Sequence, residues 1–278
     1  MSPSPVPAGY VRGPIFFDGG ADYSVYDDYA RNAFWNLAGA YGARIVVLTA
    51  NETATDADYG FTAAFRKLEA ASAQLIVVDS RRVGHDPAVL RAVQDSTGIF
   101  LSGGHPLRWS TRIGGTPLAT AIRRANAVGK AVGGVGGSAA FLCNHVLVYG
   151  HGQPCMVPGL GLSNRITVAG HYRRDEHEEL LRMAIASNPY LIGVGLSEEA
   201  AVVRRADALL EGVGLADAVI VDGSEMEHTN LADRRPGEPF EAPGLRTLSL
   251  PVEHCYDLET RTLRTPDRLP QRPGRFAL

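Results

Sequence analysis

A single α/β domain, with a mostly parallel sheet, helices on both faces as a three-layer sandwich and an antiparallel extension in its C-terminal half, is the fold class the sequence predicts. Three observations predict it. Short apolar, β-rich runs recur through the first half of the chain, each followed by a stretch of helical character. The runs are apolar on both alternating faces, as strands buried between two helix layers must be. A chain of 278 residues with 45% hydrophobic and 21% charged residues has the length and composition of one large globular α/β domain.

The elements follow in order. PIFF at 14–17, RIVVLT at 44–49, QLIVVD at 74–79, GIFLSGG at 98–104 and KAVGGVG at 130–136 read as strands. Between them, helices are expected over Val25 to Tyr41, Tyr59 to Ala71, Asp86 to Asp95 and Pro117 to Val128. A helix near Asp175 to Ala186 and strands at LIGVGL, AAVVRR, DAVIVDG and LRTLSL complete the second half, read as the antiparallel extension. The glycine-rich segment Tyr149 to Asn164 reads as a long loop over the carboxyl ends of the strands, and Arg234 to Pro243 as a polar surface loop. Residues 1–12 are expected to form an N-terminal tail on a domain spanning 13–278.

Composition narrows the function classes. A formal net charge of -3 with dispersed arginines provides no basic footprint for nucleic acid. No apolar run reaches the roughly 18–20 residues of a membrane span, and MSPSPVPAGYVRGP lacks the basic and apolar regions of a signal peptide, so a cytoplasmic location without membrane partners is expected. Cys143, Cys155 and Cys255 form no CxxC pair, which points to buried free thiols rather than disulfides or structural zinc. His145, His151 and His171 have no fixed ligand spacing, and the expectation is no metal and no cofactor.

Ligands of an open parallel sheet bind beyond the carboxyl ends of the strands, which directs attention to the loops that follow them. In Gly136-Gly137-Ser138-Ala139-Ala140, small residues two before and two after a serine fit a nucleophile elbow, and equally a glycine-rich turn. The glycine pair in Ser102-Gly103-Gly104-His105-Pro106 lets backbone N–H groups approach a ligand, so Gly104 could complete an oxyanion hole with Ala139. His105 and Arg108 would border the pocket. A serine needs a histidine to take its proton and an acid to orient that histidine. His171 follows an apolar strand and precedes a helix; Glu198, with Glu199 beside it, follows another strand. A nucleotide site at GGVGGS lacks the Walker lysine.

The order SGGH, GGSAA, AGHY, GVGLSEEAA, with LRTLSLPVEHCYDL at the end, resembles the serine peptidase family that includes cyanophycinase, with peptidase E a more distant relative. The resemblance runs from about Gly13 to Thr262. It implies Ser138 as nucleophile, His171 as general base, Glu198 as the orienting acid, and N–H donors from Gly104 and Ala139. It further implies hydrolysis of an amide or isopeptide bond in a small, aspartyl-related peptide through an acyl-enzyme, and a homodimer. Several positions depart from the family pattern. The second elbow glycine is Ala140, the Gly-Gly-Asp-Gln loop is Gly103-Gly104-His105-Pro106, and the Asp-Gln before the histidine is Ala169-Gly170. The arginine-rich helix after the histidine is here RRDEHEELL, leaving Arg173 and Arg174 beside Arg108 as candidates to grip a substrate carboxylate. The expectation is hydrolytic machinery with a specificity changed from cyanophycin. The alternatives are an inactive ligand-binding relative and an acyltransferase using the same site.

Overall fold

The structure, a computed structural model, describes residues 2–20, 27–51, 60–150, 153–235 and 237–265. The first five strands are β1 (Ile15–Asp18), β2 (Arg44–Thr49), β3 (Ser72–Val77), β4 (Gly98–Ser102) and β5 (Ala131–Val135). They pair in parallel in the order β3-β2-β4-β5-β1. The helices of this half are α1 (Asp27–Leu37), α2 (Phe61–Lys67), α3 (Pro87–Asp95), α4 (Pro106–Ile113), α5 (Pro117–Ala127) and α6 (Gly137–Phe141). The first residues expected of the first two helices, 25–26 and 59, lie outside the described residues.

Capping chemistry sets where helices begin. Asp86 accepts the Ala88 N–H at 2.8 Å with Pro87 at the first helical position, so α3 starts where a side-chain acceptor and a missing N–H coincide. His105 caps α4 in the same way, its Nδ1 accepting the Leu107 N–H at 3.2 Å ahead of Pro106. That helix was not anticipated, because Gly-Gly-His-Pro reads as a turn until the histidine is seen to cap.

The two faces of the sheet carry different layers. On one, Phe34 and Trp35 of α1 and Phe61 and Phe65 of α2 pack on Phe16, Val47 and Phe100. Phe34 meets Phe100 edge-on at a centroid distance of 4.9 Å, and Gly133 of β5 admits the ring: a Cβ there would lie 2.7 Å from Phe34 Cδ2. The other face holds Val93, Trp109, Ile113, Leu118, Ile122 and Phe141 from α3 to α6.

The second half does two things where one was expected. β10 (Ala201–Arg204), β11 (Leu209–Gly212), β14 (Cys255–Asp257) and β15 (Thr262–Arg264) extend the main sheet beyond β1, all antiparallel, to nine strands. β8 (Ile166–Ala169), β9 (Ile192–Gly195), β12 (Ala218–Asp222) and β13 (Arg246–Leu250) instead build a separate four-stranded sheet, in which β8 and β9 run parallel. Ile166, Val194 and Ile220 of this second sheet join the core of the main sheet, while α7 (Arg174–Ser187) covers its other side through Leu181, Ala184 and Ile185.

The glycine-rich segment is also not the loop expected of it. β6 (His145–Gly150) and β7 (Gln153–Pro158) pair as an antiparallel hairpin from His145↔Pro158 to Gly150↔Gln153. Glycines and prolines at both ends hid its alternation. Arg234 to Pro243 is irregular among the described residues, as expected. At the N-terminus, Arg12 donates to Ser4 O at 2.6 Å and to Asn126 Oδ1 at 3.4 Å, and the Gly13 N–H reaches Asn126 O at 2.8 Å.

Candidate functional site

The carboxyl ends of β1, β4, β5, β8 and β9 release the segments that matter. β5 ends at Val135, and the chain turns into α6 at Gly136, whose φ of 54° and ψ of -122° form a strained backbone that residues with side chains rarely adopt. This is the sharp strand-to-helix turn of an elbow, and the residue at its apex is Gly136. Ser138 sits two residues later, inside α6 and fully buried. Its hydroxyl donates toward Leu101 O and Val135 O, both at 2.7 Å, and accepts the Val135 N–H at 3.2 Å. The hydroxyl thus ties α6 to β4 and β5 beneath the turn.

The histidine comes to the apex rather than to the serine. β8 ends at Ala169, and Gly170 carries the chain past the elbow so closely that a Cβ would lie 2.8 Å from the Cα, C and O of Gly136. His171 follows with φ of 49°, an uncommon conformation for a non-glycine residue, and its N–H donates to Gly19 O at 2.7 Å. Its ring lies against two glycines. A Cβ on Gly136 would stand 2.5 Å from His171 Nε2, and one on Gly20 would stand 2.8 Å from the same nitrogen. The imidazole therefore occupies the place where a side chain on the elbow residue would point. No hydrogen bond joins the His171 ring to Ser138 or to Glu198.

The other expected residues fall as follows. The N–H that follows the elbow residue belongs to Gly137; Ala139 N lies behind β5, 3.0 Å from where a Cβ on Gly134 would be. The oxyanion donor expected at Ala139 is displaced for the same two-residue reason as the serine. Gly104, with φ of 87°, lies beside the elbow, its carbonyl oxygen 3.1 Å from the Cβ position of Gly137. The Trp109 indole pins this loop by donating to Gly103 O at 2.8 Å. His105 is occupied as a helix cap. Arg108, half-buried on the first turn of α4, reaches Ala50 O only at 3.4 Å, whereas Arg112 holds the same carbonyl at 2.6 Å.

Arg173 and Arg174, exposed at the start of α7, pair with Glu176 and Glu178, the latter at 2.7 Å. Solvent screens exposed pairs of this kind, so they contribute little to stability. Glu198 and Glu199 are exposed after β9, and Glu198 lies within electrostatic reach of Arg173.

Two groups escaped the sequence reading. Asp18, at the end of β1 and almost fully buried, accepts the Gly20 N–H on Oδ1 at 3.0 Å and so shapes the glycine turn that backs His171. The run Asp18-Gly19-Gly20 follows an apolar strand and was legible by the rule applied to the other loops. Tyr172 covers Gly195, where a Cβ would lie 2.8 Å from its Cδ2, and burial pushes its phenol up to about 12. His145 lies on β6, and His151 lies outside the described residues. Among the described residues no group of three or more His, Cys, Asp or Glu side chains could hold a metal ion, and no helix is long and apolar enough to cross a membrane.

The chain is similar to cyanophycinases. It is 27% identical over 260 residues to that of Geminocystis herdmanii, covering 90% of this chain and 96% of the relative. The cyanophycinase of Synechococcus elongatus is 28% identical over 268 residues, covering 93% of this chain and 83% of the relative. Among solved structures, a peptidase from an acI-B1 actinobacterium superposes with a TM-score of 0.64 at 18% identity, over 87% of this chain and 98% of that one. A putative peptidase E from Listeria monocytogenes superposes with a TM-score of 0.52 at 14% identity, over 74% of this chain and 100% of that one. No family model matches the chain. The two solved structures share this chain's fold.

Proposed function

We propose that the chain is a cyanophycinase-like peptidase and that it acts on a small peptide or amide where Gly20, Gly104 and Gly136 meet His171, with His171 transferring the proton and without an acyl-enzyme on Ser138. One observation carries this: the strained elbow residue against the histidine is Gly136, which has no hydroxyl to offer. A nucleophile must lie within hydrogen-bond reach of its base. Ser138 instead spends its hydroxyl on Leu101 O and Val135 O.

Attack then falls to water. His171 takes a proton as the water oxygen bonds to the scissile carbonyl carbon; the resulting oxyanion faces the N–H groups of Gly137 and Gly104, and the C–N bond breaks as His171 returns the proton to the leaving amine. General-base assistance of this kind supplies roughly 100- to 10,000-fold. Arg108 is the cation best placed to receive a substrate carboxylate, because its single backbone contact is long and its guanidinium fork suits that group. An amine in place of this water would give acyl transfer by the same direct attack, with no covalent intermediate.

A second reading, binding without turnover, is favoured by the missing hydrogen bond between Glu198 and His171, since an unoriented imidazole is a poor base. Turnover of α- and β-aspartyl dipeptides separates the readings. Hydrolysis that persists in Ser138→Ala and disappears in His171→Ala supports water attack. Saturable dipeptide binding with no hydrolysis supports the second reading, and a covalent acyl adduct on Ser138 overturns both.

A further inference from the structure

We propose that Arg12, Arg165 and Arg204 form a binding site for a small, doubly charged oxyanion at the pole of the fold opposite the His171 cleft. The placement follows from topology. Arg204 is the last residue of β10 and pairs in register with Ile15, the first residue of β1. Arg12 precedes that strand, and Arg165 immediately precedes β8. All three thus gather where β1 and β8 begin, whereas His171 and the elbow lie where β8 and β5 end.

Two of the three guanidinium groups are under-satisfied, and the third brings a further positive charge, in a way that calls for an anion. Nε and Nη1 of Arg204, and Nε of Arg165, are buried with no hydrogen-bond acceptor. Arg165 otherwise donates to Leu258 O at 2.6 Å and stacks 5.1 Å over the Tyr190 ring, and Arg12 donates to Ser4 O and Asn126 Oδ1. These partners are neutral. Asp207 lies within electrostatic reach of Arg204, but its Oδ1 accepts the Leu209 N–H, and Arg12 and Arg165 act on Arg204 with the opposite sign.

Burial first, and then the charge of Arg12, lower the proton affinity of Arg204. A guanidinium does not escape by deprotonating as a buried lysine can. Water would satisfy the orphaned N–H groups and leave the positive charge uncompensated. An oxyanion does both, since its oxygens match the guanidinium fork and its charge offsets the cluster.

Inorganic phosphate is the probe, with succinate as the carboxylate counterpart, each compared with chloride at matched ionic strength in thermal unfolding and in titration calorimetry. Wild-type protein is expected to bind one of the two saturably and to unfold at higher temperature in it. Arg204→Leu should weaken that binding by at least about tenfold, because it removes the buried half of the fork. In chloride alone the same variant should be no less stable than wild type, since an uncompensated buried charge has been removed. A purely structural arginine would give the reverse pair of results. Arg12→Gln, at the more accessible rim, reads the same loss of binding should Arg204→Leu fail to fold. No stabilisation by either anion, or full retention of it in both variants, overturns the site.

Discussion

Replacing Asp222 by Asn should cost the fold about 3–5 kcal/mol, the range for removing one partner of a buried charge cluster. Asp222 ends β12 with no exposed surface. Its carboxylate pairs with Arg246 at 2.5 Å and Arg261 at 2.6 Å, accepts the Tyr256 hydroxyl at 2.9 Å, and accepts the Ser224 N–H at 2.9 Å. It therefore locks β13 and the β14–β15 turn to the end of β12. Burial alone would push the carboxyl up; the Ser224 N–H and the Arg261, Arg246 and Tyr256 donors outweigh it and bring it from 3.8 down to about 2.

A depressed carboxylate contributes stability above its unfolded value near 3.8 that is lost as pH falls toward the folded value near 2. With 1.36 kcal/mol for each pH unit of separation, about 2 kcal/mol should be lost between pH 5 and pH 2. Urea unfolding followed by circular dichroism across that range is the assay. The wild-type advantage over Asp222→Asn should shrink by that amount as the solution is acidified. A cost below about 1 kcal/mol at pH 7, or a difference that does not change with pH, would refute the reasoning.

Two further outcomes follow from burial and packing. Iodoacetamide at pH 8 should alkylate Cys155, which is exposed on β7, and spare Cys143 and Cys255; burial pushes the Cys143 thiol up to about 12, and peptide mass mapping before and after unfolding reads the result. Gly133→Ala should cost about 1–3 kcal/mol in urea unfolding, because its methyl would meet Phe34 Cδ2 at 2.7 Å and Phe100 Cδ2 at 3.0 Å within an aromatic cluster that has no open side.

Four of the five parallel strands were legible because burial on both faces makes them continuous apolar runs, whereas the half-exposed edge strand β3 shifted by two residues, to Ser72–Val77. What misled at the site was local degeneracy. Gly134-Val135-Gly136-Gly137-Ser138 and Gly136-Gly137-Ser138-Ala139-Ala140 both satisfy the steric rule for an elbow, and the hydroxyl drew the eye to the second frame. Only the backbone chooses between them, by placing the positive φ at Gly136. His171 does follow a strand, yet the place of its ring depends on Gly20 and Gly136, which have no side chain to signal a role. The second sheet was hidden for another reason: β9 and β10 lie only a few residues apart, and no local pattern shows that the chain changes sheets between Gly195 and Ala201.

The account turns on which residue occupies the elbow, and intact-mass analysis after exposure to a fluorophosphonate tests that most directly. Wild type and Ser138→Ala should both remain unlabelled, while Gly136→Ser, which sets a hydroxyl beside His171 once the exposed ring yields to the new Cβ, should acquire one covalent adduct. Labelling of the wild type that disappears in Ser138→Ala would contradict the account.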